Sequence, residues 1–328
     1  MSSKAYISAL AYYLPSTILS NKNLNDQFPE WSIDKISKKT GILNRTIAAD
    51  NEYVSDMAFN AATSLFQNNN ISTSSIDFVL LCTESPDYML PATACIIQHR
   101  LKIPTSAGAL DYNLGCSGFV YGLSLAKGLI SSGAASSILL LTADMYSKLI
   151  SKGDKTNRTI FGDAATAVII SSEPALCRID EFVFGTNGEG ANNLIVKNSG
   201  AHYNDDLPEE NVDNYLFMNG KEIFNFTLSS VPKLIEATLA KNNLSYNDID
   251  LFIFHQANRY ILNALRDKIG IPEDKFYYFM ENCGNTVSST IPIALYEAIS
   301  QKKVKKGDKV LLAGFGVGYS WAATVLQF

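Results

Sequence analysis

Three short segments of this chain hold residue types that can handle an acyl group together. The first is Leu110-Asp111-Tyr112-Asn113-Leu114-Gly115-Cys116-Ser117-Gly118-Phe119-Val120. Cys116 stands between two close glycines, and beyond it Leu123, Ala126, Leu129 and Ile130 follow helical spacing. That places the cysteine at the turn into a helix, where backbone N–H groups and the helix dipole favour a thiolate over a thiol. A thiolate attacks a thioester carbonyl, and small flanking residues leave room for the substrate. The alternative is a small buried core cysteine. His255 ends the apolar run Leu251-Phe252-Ile253-Phe254, and a helical pattern of Ile261, Leu262, Leu265 and Ile269 follows. A polar residue at the end of a buried strand in an open α/β sheet is where ligands bind; the alternative is a histidine capping the helix. Asn285, in Glu281-Asn282-Cys283-Gly284-Asn285-Thr286, precedes another helix with Ile291, Ala294, Leu295 and Ala298 facing a core. Taken alone it reads as an N-cap. Finally Gly314-Phe315-Gly316-Val317-Gly318 follows a buried run and forms a tight loop whose exposed N–H groups can hold an oxyanion. It is no phosphate loop, since no Gly-Lys-Ser/Thr follows.

The elements that must position these residues come twice. Asn69-Asn70-Ile71-Ser72-Thr73-Ser74-Ser75-Ile76-Asp77 precedes the apolar run Phe78–Leu81, and Asn242-Asn243-Leu244-Ser245-Tyr246-Asn247-Asp248-Ile249-Asp250 precedes Leu251–Phe254. Five of the nine positions are identical, about half a chain length apart. A helical pattern leads into each copy; in the second, Val231, Leu234, Ile235, Thr238 and Leu239 form the stripe, and Pro232 either starts that helix or kinks one begun near Asn219. Later in each half a second short apolar run, Ile138–Leu141 and Val310–Ala313, reads as a buried strand. Helices alternating with buried strands in two copies predict a duplicated α/β fold. The polar stretch Lys197–Asn214, with Pro208, reads as an exposed loop or insertion.

The bulk properties narrow the class. A chain of 328 residues can bury a large core, and 47% apolar with 18% charged residues is ordinary globular composition rather than a disordered one. A net charge of −5 argues against nucleic-acid binding, which needs a basic stripe. The five cysteines, odd in number and without CxxC, predict neither disulfide framework nor zinc site, and point to a reducing, cytoplasmic compartment. Ala5–Leu19 reads as a first strand and turn rather than a leader. No apolar run approaches the roughly 20 residues of a membrane-spanning helix.

Taken together the segments resemble the β-ketoacyl-acyl-carrier-protein synthase III family of thiolase-fold condensing enzymes. Lys39-Thr40-Gly41-Ile42, Gly115-Cys116-Ser117-Gly118-Phe119, Phe161-Gly162-Asp163-Ala164-Ala165, His255-Gln256-Ala257-Asn258, Gly284-Asn285-Thr286 and the C-terminal glycine loop follow in the family's order. The resemblance implies a five-layered αβαβα fold of two pseudo-symmetric halves, divided as 1–175 and 176–328, and a homodimer. It implies a Cys116-His255-Asn285 triad, with the Cys116 and Val317 backbone N–H groups as oxyanion hole. The substrates it implies are acyl-CoA or acyl carrier protein, and no metal or redox cofactor is called for. Trp31, Lys39, Arg158, Phe224, Asn258 and Phe315 match positions for substrate or CoA contacts. Leu90 matches the residue that closes the partner's acyl pocket across the dimer. Lys221, Gln256, Arg259, Arg266 and Lys268 match or neighbour positions that meet the acidic carrier protein, though Arg259, Arg266 and Lys268 read equally well as a solvated helix face.

Where the chain departs from the family, the chemistry is spared and the CoA and carrier contacts change. Trp31 lies further from Lys39-Thr40-Gly41-Ile42 than usual, Lys39 stands where the family has arginine, and Asn225 where it often has lysine. These departures suggest a pathway-specific relative that primes from a carrier-bound acyl group. The competing expectations are a same-fold acyltransferase or non-decarboxylative condensing enzyme, and a non-catalytic partner subunit. Glu84 could serve as the acid/base of a hydroxymethylglutaryl-CoA-synthase type, but its segment reads as a dimer loop.

Overall fold

The computed structural model describes residues 4–328. The first half runs β1 (Ala5–Tyr13), β2 (Thr17–Ser20), α1 (Asn21–Gln27), α2 (Ile33–Thr40), β3 (Asn44–Ile47), α3 (Val54–Asn69), β4 (Phe78–Cys82), α4 (Thr93–Arg100), β5 (Gly108–Tyr112), α5 (Gly118–Ser131), β6 (Ser137–Asp144), α6 (Lys155–Arg158) and β7 (Ala164–Ser171). Then follow β8 (Cys177–Ile179), β9 (Val183–Thr186), β10 (Leu194–Val196), β11 (Leu216–Met218), α7 (Gly220–Lys241), β12 (Leu251–Phe254), α8 (Arg259–Ile269), α9 (Thr290–Ser300), β13 (Lys309–Gly316) and β14 (Ser320–Gln327).

The repeat seen in the sequence is a structural repeat. Asn70 and Asn243 both take a left-handed backbone, with φ of 51° and 55°, as α3 and α7 end. Each is followed by one 3-10 turn, at Thr73–Ser75 and Tyr246–Asp248, and then by β4 or β12. Asp77 Oδ2 accepts the Ser136 and Ser137 N–H groups, and Asp250 Oδ2 accepts that of Lys309 at 2.8 Å. The same carboxylate thus sets the parallel register of β4 on β6 and of β12 on β13.

Strand order is β5-β4-β6-β7-β1 in the first half and β12-β13-β14 in the second, and β8 pairs with both β14 and β1 to join them into one ten-stranded sheet. α3 packs on β1, β7 and β6, and α7 packs on β14 and β13, so each covers an outer face. α5 and α9 lie between the halves: Phe119, Leu123, Ile291 and Leu295 share one core cluster with Ile138 and Leu140 of β6 and Val310 and Leu312 of β13. The layers are therefore α, β, α, β, α, the thiolase arrangement. Pro232 neither starts nor ends α7, which runs unbroken from Gly220 to Lys241. The polar stretch after Val196 is the long loop of the β10–β11 hairpin. None of the five cysteines is paired, and no helix among the described residues is long and apolar enough to cross a membrane.

Candidate active site

The central layer brings the three segments together. Cys116 sits two residues before α5, His255 directly follows β12, and Asn285 lies five residues before α9. All three line one cleft of about 440 Å³. The segment expected to be a tight glycine loop is instead the end of β13, with Gly314–Gly316 paired to β14 and only Val317–Tyr319 left to turn. It passes beneath the nucleophile: a Cβ on Gly316 would stand 2.9 Å from Cys116 Cβ and 3.0 Å from its Sγ, and one on Gly314 would stand 2.7 Å from Ser117 Cα. Only glycine admits that approach. Ser117 Oγ and Ser320 Oγ bond at 2.6 Å and tie the nucleophile's turn to the start of β14. Among the described residues, no backbone carbonyl takes the Cys116 or the Val317 N–H.

Asn285 is not the cap of α9; that position belongs to Ser289. Its Oδ1 accepts the Val287 N–H at 2.9 Å, the two-residue Asx turn that competes with capping. Its backbone is tied to the segment before β7 by Asn285 N–H to Ile160 O at 2.9 Å and Gly162 N–H to Asn285 O at 3.0 Å. With Oδ1 engaged, Nδ2 is the donor left for the cleft. Val287 is held at φ 55°, a conformation costly for a β-branched residue. Nor does His255 cap α8, whose cap is Asn258, accepting Ile261 N–H at 2.9 Å. His255 Nδ1 lies 2.7 Å from Thr290 Oγ1, and the Phe315 ring meets the imidazole edge-on at 5.7 Å.

Electrostatics corrects one expectation. Burial, then the Glu84 and Asp144 carboxylates, push the Cys116 thiol well above its ordinary value, against the helix dipole. Burial also depresses His255 to about 3. The resting pair is therefore a neutral thiol and a neutral imidazole. Glu84 is closer to the nucleophile than its sequence suggested. Its Oε2 packs against Gly115, it accepts the Tyr146 hydroxyl, and burial raises it to about 7. Asp144 is fully buried behind it, accepting the Glu84 N–H at 2.8 Å and the Ser288 hydroxyl.

The outer cleft holds most of the other expected residues. Trp31 and Lys39 line it, with the Lys39 ammonium 5.7 Å from the indole ring. Lys221 and Phe224 come from the first turns of α7, and Phe224 stacks on Tyr260 at 5.3 Å. Asn258 and Phe315 line it as well. Thr227 Oγ1 is a buried hydroxyl without a partner in this wall.

Two residues go elsewhere. Arg158 is not in the lining: it donates to Gln27 Oε1 at 2.5 Å and Lys152 O at 2.8 Å, over the Phe28 ring. Gln256 is fully buried, donating to Phe254 O at 2.6 Å and Tyr277 O at 3.3 Å and accepting Phe279 N–H at 2.7 Å. It props β12 and reaches no carrier surface. On α8, Arg259 packs on Gly41 and Tyr278, Arg266 pairs with Asp267 at 2.9 Å, and Lys268 is exposed. Leu90 is 82% exposed at the tip of the loop after β4. The structurally important residues that sequence reasoning missed are Thr290, which lies unremarked in Ser288-Ser289-Thr290, and Asp144.

Comparison with known proteins agrees with this architecture. Residues 110–188 match the family described as 3-oxoacyl-[acyl-carrier-protein (ACP)] synthase III, and residues 239–328 match its C-terminal part. The chain is 38% identical over 330 residues to beta-ketoacyl-[acyl-carrier-protein] synthase III 2 of Halalkalibacterium halodurans, covering 99% of this chain and 97% of that one. A crystal structure of a 3-oxoacyl-(acyl-carrier-protein) synthase III superposes with a TM-score of 0.94 at 48% identity, covering 99% of this chain and 100% of that one. The priming β-ketosynthase of the R1128 polyketide pathway superposes with a TM-score of 0.88 at 27% identity, covering 98% and 96%. Identity along the whole length, joined to a cleft in which cysteine, histidine and asparagine meet at the junction of two repeats, means that this chain belongs to the 3-oxoacyl-[acyl-carrier-protein] synthase III family of condensing enzymes.

Proposed function

We propose that the enzyme joins an acyl primer held on Cys116 to malonyl-acyl carrier protein by decarboxylative condensation, giving a β-ketoacyl thioester. The observation that carries this is the convergence of Cys116, His255 and Asn285 on one cleft, lined by Trp31, Lys39 and Lys221 further out. Cys116 takes the acyl group from a donor thioester. The Cys116 and Val317 N–H groups hold the tetrahedral oxyanion; one such donor is worth about 2.7–4 kcal/mol. Malonyl thioester then enters, and His255 and Asn285 bind its thioester oxygen as CO₂ leaves and the enolate forms. A neutral asparagine suits that task, which is charge stabilisation rather than proton transfer. The halves 1–175 and 176–328 each supply part of the site: the nucleophile from the first, His255 and Asn285 from the second. The acting unit is a homodimer in which Leu90 closes the partner's acyl pocket, and the carrier approaches the face bearing Lys221, Arg259 and Lys268.

The donor in this reading is a carrier-bound acyl group rather than acetyl-CoA. In favour of it, Arg158 is turned to Gln27 and Lys152, and Lys155 is paired with Glu30. Lys39 and Lys221 are then the cations left in the lining. Intact mass after mixing with acetyl-CoA and a panel of acyl carriers checks it. Acylation of Cys116 should come from a carrier and be absent in Cys116→Ala; fast, exclusive labelling by acetyl-CoA would rule the donor out. Loss of no pathway output in Cys116→Ala would rule out catalysis itself.

A further inference from the structure

With its imidazole depressed to about 3 by burial alone, His255 enters a reaction neutral, with a proton on one ring nitrogen only. Thr290 decides which. Its hydroxyl has a single hydrogen, donated to Val287 O at 3.0 Å, and His255 Nδ1 lies 2.7 Å from the same oxygen. A hydroxyl whose hydrogen is committed can only accept at that second contact. On that assignment of the hydroxyl hydrogen, Nδ1 carries the ring proton and Nε2 presents a lone pair. The arrangement is braced. Val287 O also accepts the Thr290 N–H, and the Val287 N–H is held by Asn285 Oδ1 at 2.9 Å.

The groups facing His255 add no charge that would reverse this. The loop before α5 brings Cys116; α2, α7 and α8 bring Lys39, Lys221 and Tyr260 at the exposed end of the cleft. β13 presents the Phe315 ring and α9 presents Thr290. Glu84 and Asp144 act on Cys116.

We infer that Thr290 is a positioning residue that holds His255 as the Nδ1–H tautomer, so that the ring is a base while Cys116 is acylated and becomes a donor in the second half-reaction only by taking up, at Nε2, the one proton the condensation consumes. The inference deepens the condensation reading above and rests on it. In the first half, the Cys116 thiol proton moves to Nε2 as Sγ attacks the donor's thioester carbonyl. The bond from that carbonyl to the donor's sulfur breaks, and the leaving thiolate takes the proton back from Nε2. In the second half, the malonyl group brings a carboxylate, whose charge favours protonation of Nε2 from solvent. The imidazolium and Asn285 Nδ2 donate to the thioester oxygen while the bond to the carboxylate breaks; its electron pair moves onto that oxygen and CO₂ departs. The enolate carbon then bonds to the acyl carbonyl on Cys116, the C–S bond breaks, and Sγ takes the Nε2 proton. Thiol and neutral imidazole are restored, with one proton consumed and no change of oxidation state supplied from outside.

The chain has three histidines, so a ¹⁵N-histidine spectrum of the resting enzyme resolves His255. Nδ1 should resonate as a protonated nitrogen and Nε2 as an unprotonated one. Acyl loading of Cys116 and decarboxylation of a malonyl thioester by pre-acylated enzyme are then timed separately across pH. Decarboxylation should fall tenfold per pH unit above its midpoint, since it needs the imidazolium, while loading should not fall over that range. Thr290→Val keeps the shape and removes the acceptor. It should slow loading by about tenfold or more and flatten the fall of decarboxylation with pH, and Thr290→Ser should restore both. A resting spectrum with the proton on Nε2 overturns the inference, as does an unchanged pH slope in Thr290→Val. If Thr290→Val does not fold, the wild-type spectrum and the two wild-type pH profiles decide. If wild type forms no acyl-enzyme or leaves malonyl thioester intact, the condensation reading fails instead, and the spectrum alone judges the role of Thr290.

Discussion

Cys116 combines a reactive side chain with surroundings that resist its ionisation. Helix α5 favours the thiolate, whereas burial, Glu84 and Asp144 oppose it. Glu84 is the adjustable part, because its carboxyl is raised from 4.5 to about 7 by burial. Above that value it is charged and holds the thiol up. Glu84→Gln should therefore lower the midpoint of Cys116 alkylation by iodoacetamide and speed labelling severalfold at pH 8; an unchanged profile would separate Glu84 from the nucleophile. Stability carries the same sign. The folded chain binds the Glu84 proton more tightly than the unfolded chain, so this contribution is fully present below about 4.5 and is lost as pH rises through about 7. Thermal midpoints should fall across that window in wild type and fall less in Glu84→Gln. Much of this site could be read from residue type and position: Cys116 ahead of a helix, His255 at a strand end. Asn285 was harder, because an Asx turn and an N-cap use the same side-chain oxygen on N–H groups of the same few residues. Gln256 and Arg158 were beyond reach, since their directions are set by Tyr277, Gln27 and Lys152, which no local pattern reveals. Thr290 was hidden for the same reason, its partner lying 35 residues away.

Elements were more legible than side chains, because one helix-to-strand connection is written twice. The paired asparagines of the repeat have a conformational task. Asn70 and Asn243 both turn the chain through the left-handed region where a long helix gives way to a buried strand. Asparagine tolerates that region, and other non-glycine residues lose roughly 1–2 kcal/mol there. Asn243→Ala should therefore destabilise the enzyme by about 1 kcal/mol, with Asn243→Gly close to neutral, and Asn70 should behave alike. Urea unfolding of the four variants checks this; equal loss in the alanine and glycine variants would mean that side-chain contacts, rather than backbone, hold these positions. Pro232 shows what the sequence left open. A proline forbids its own N–H bond without saying whether a helix starts, bends or stops, and here the packing of Val231, Leu234 and Ile235 carries α7 through it.

On the scale of the whole molecule, β5 is the conspicuous element. It closes the strand order at one edge, and among the described residues β4 is its only partner, so one side of its ladder is open there. Its residues are half-buried or exposed, including Leu110 at 38%, unlike the inner strands β6 and β7, which are buried except for Ser137 and Ser171 at their ends. Asp111 of the same strand accepts the Thr93 and Ala94 N–H groups at 2.6 and 2.7 Å, which anchors α4 and the loop preceding it. At the tip of that loop Tyr88, Met89 and Leu90 are exposed by 62%, 82% and 82%. An open strand edge beside a projecting apolar tip is an aggregation hazard for a lone chain and a natural contact for a second copy. Antiparallel pairing of β5 with its symmetry mate would close the edge and bring the tip against the partner. Sedimentation should give a dimer at micromolar concentration, and Leu110→Asp should shift it toward monomer. Leu90→Ala, which leaves the strand edge intact, should preserve the dimer while letting longer acyl chains load onto Cys116 of the partner subunit. A monomer with full condensing activity, or a Leu90→Ala dimer with unaltered chain-length preference, would show that each cleft is complete within its own chain.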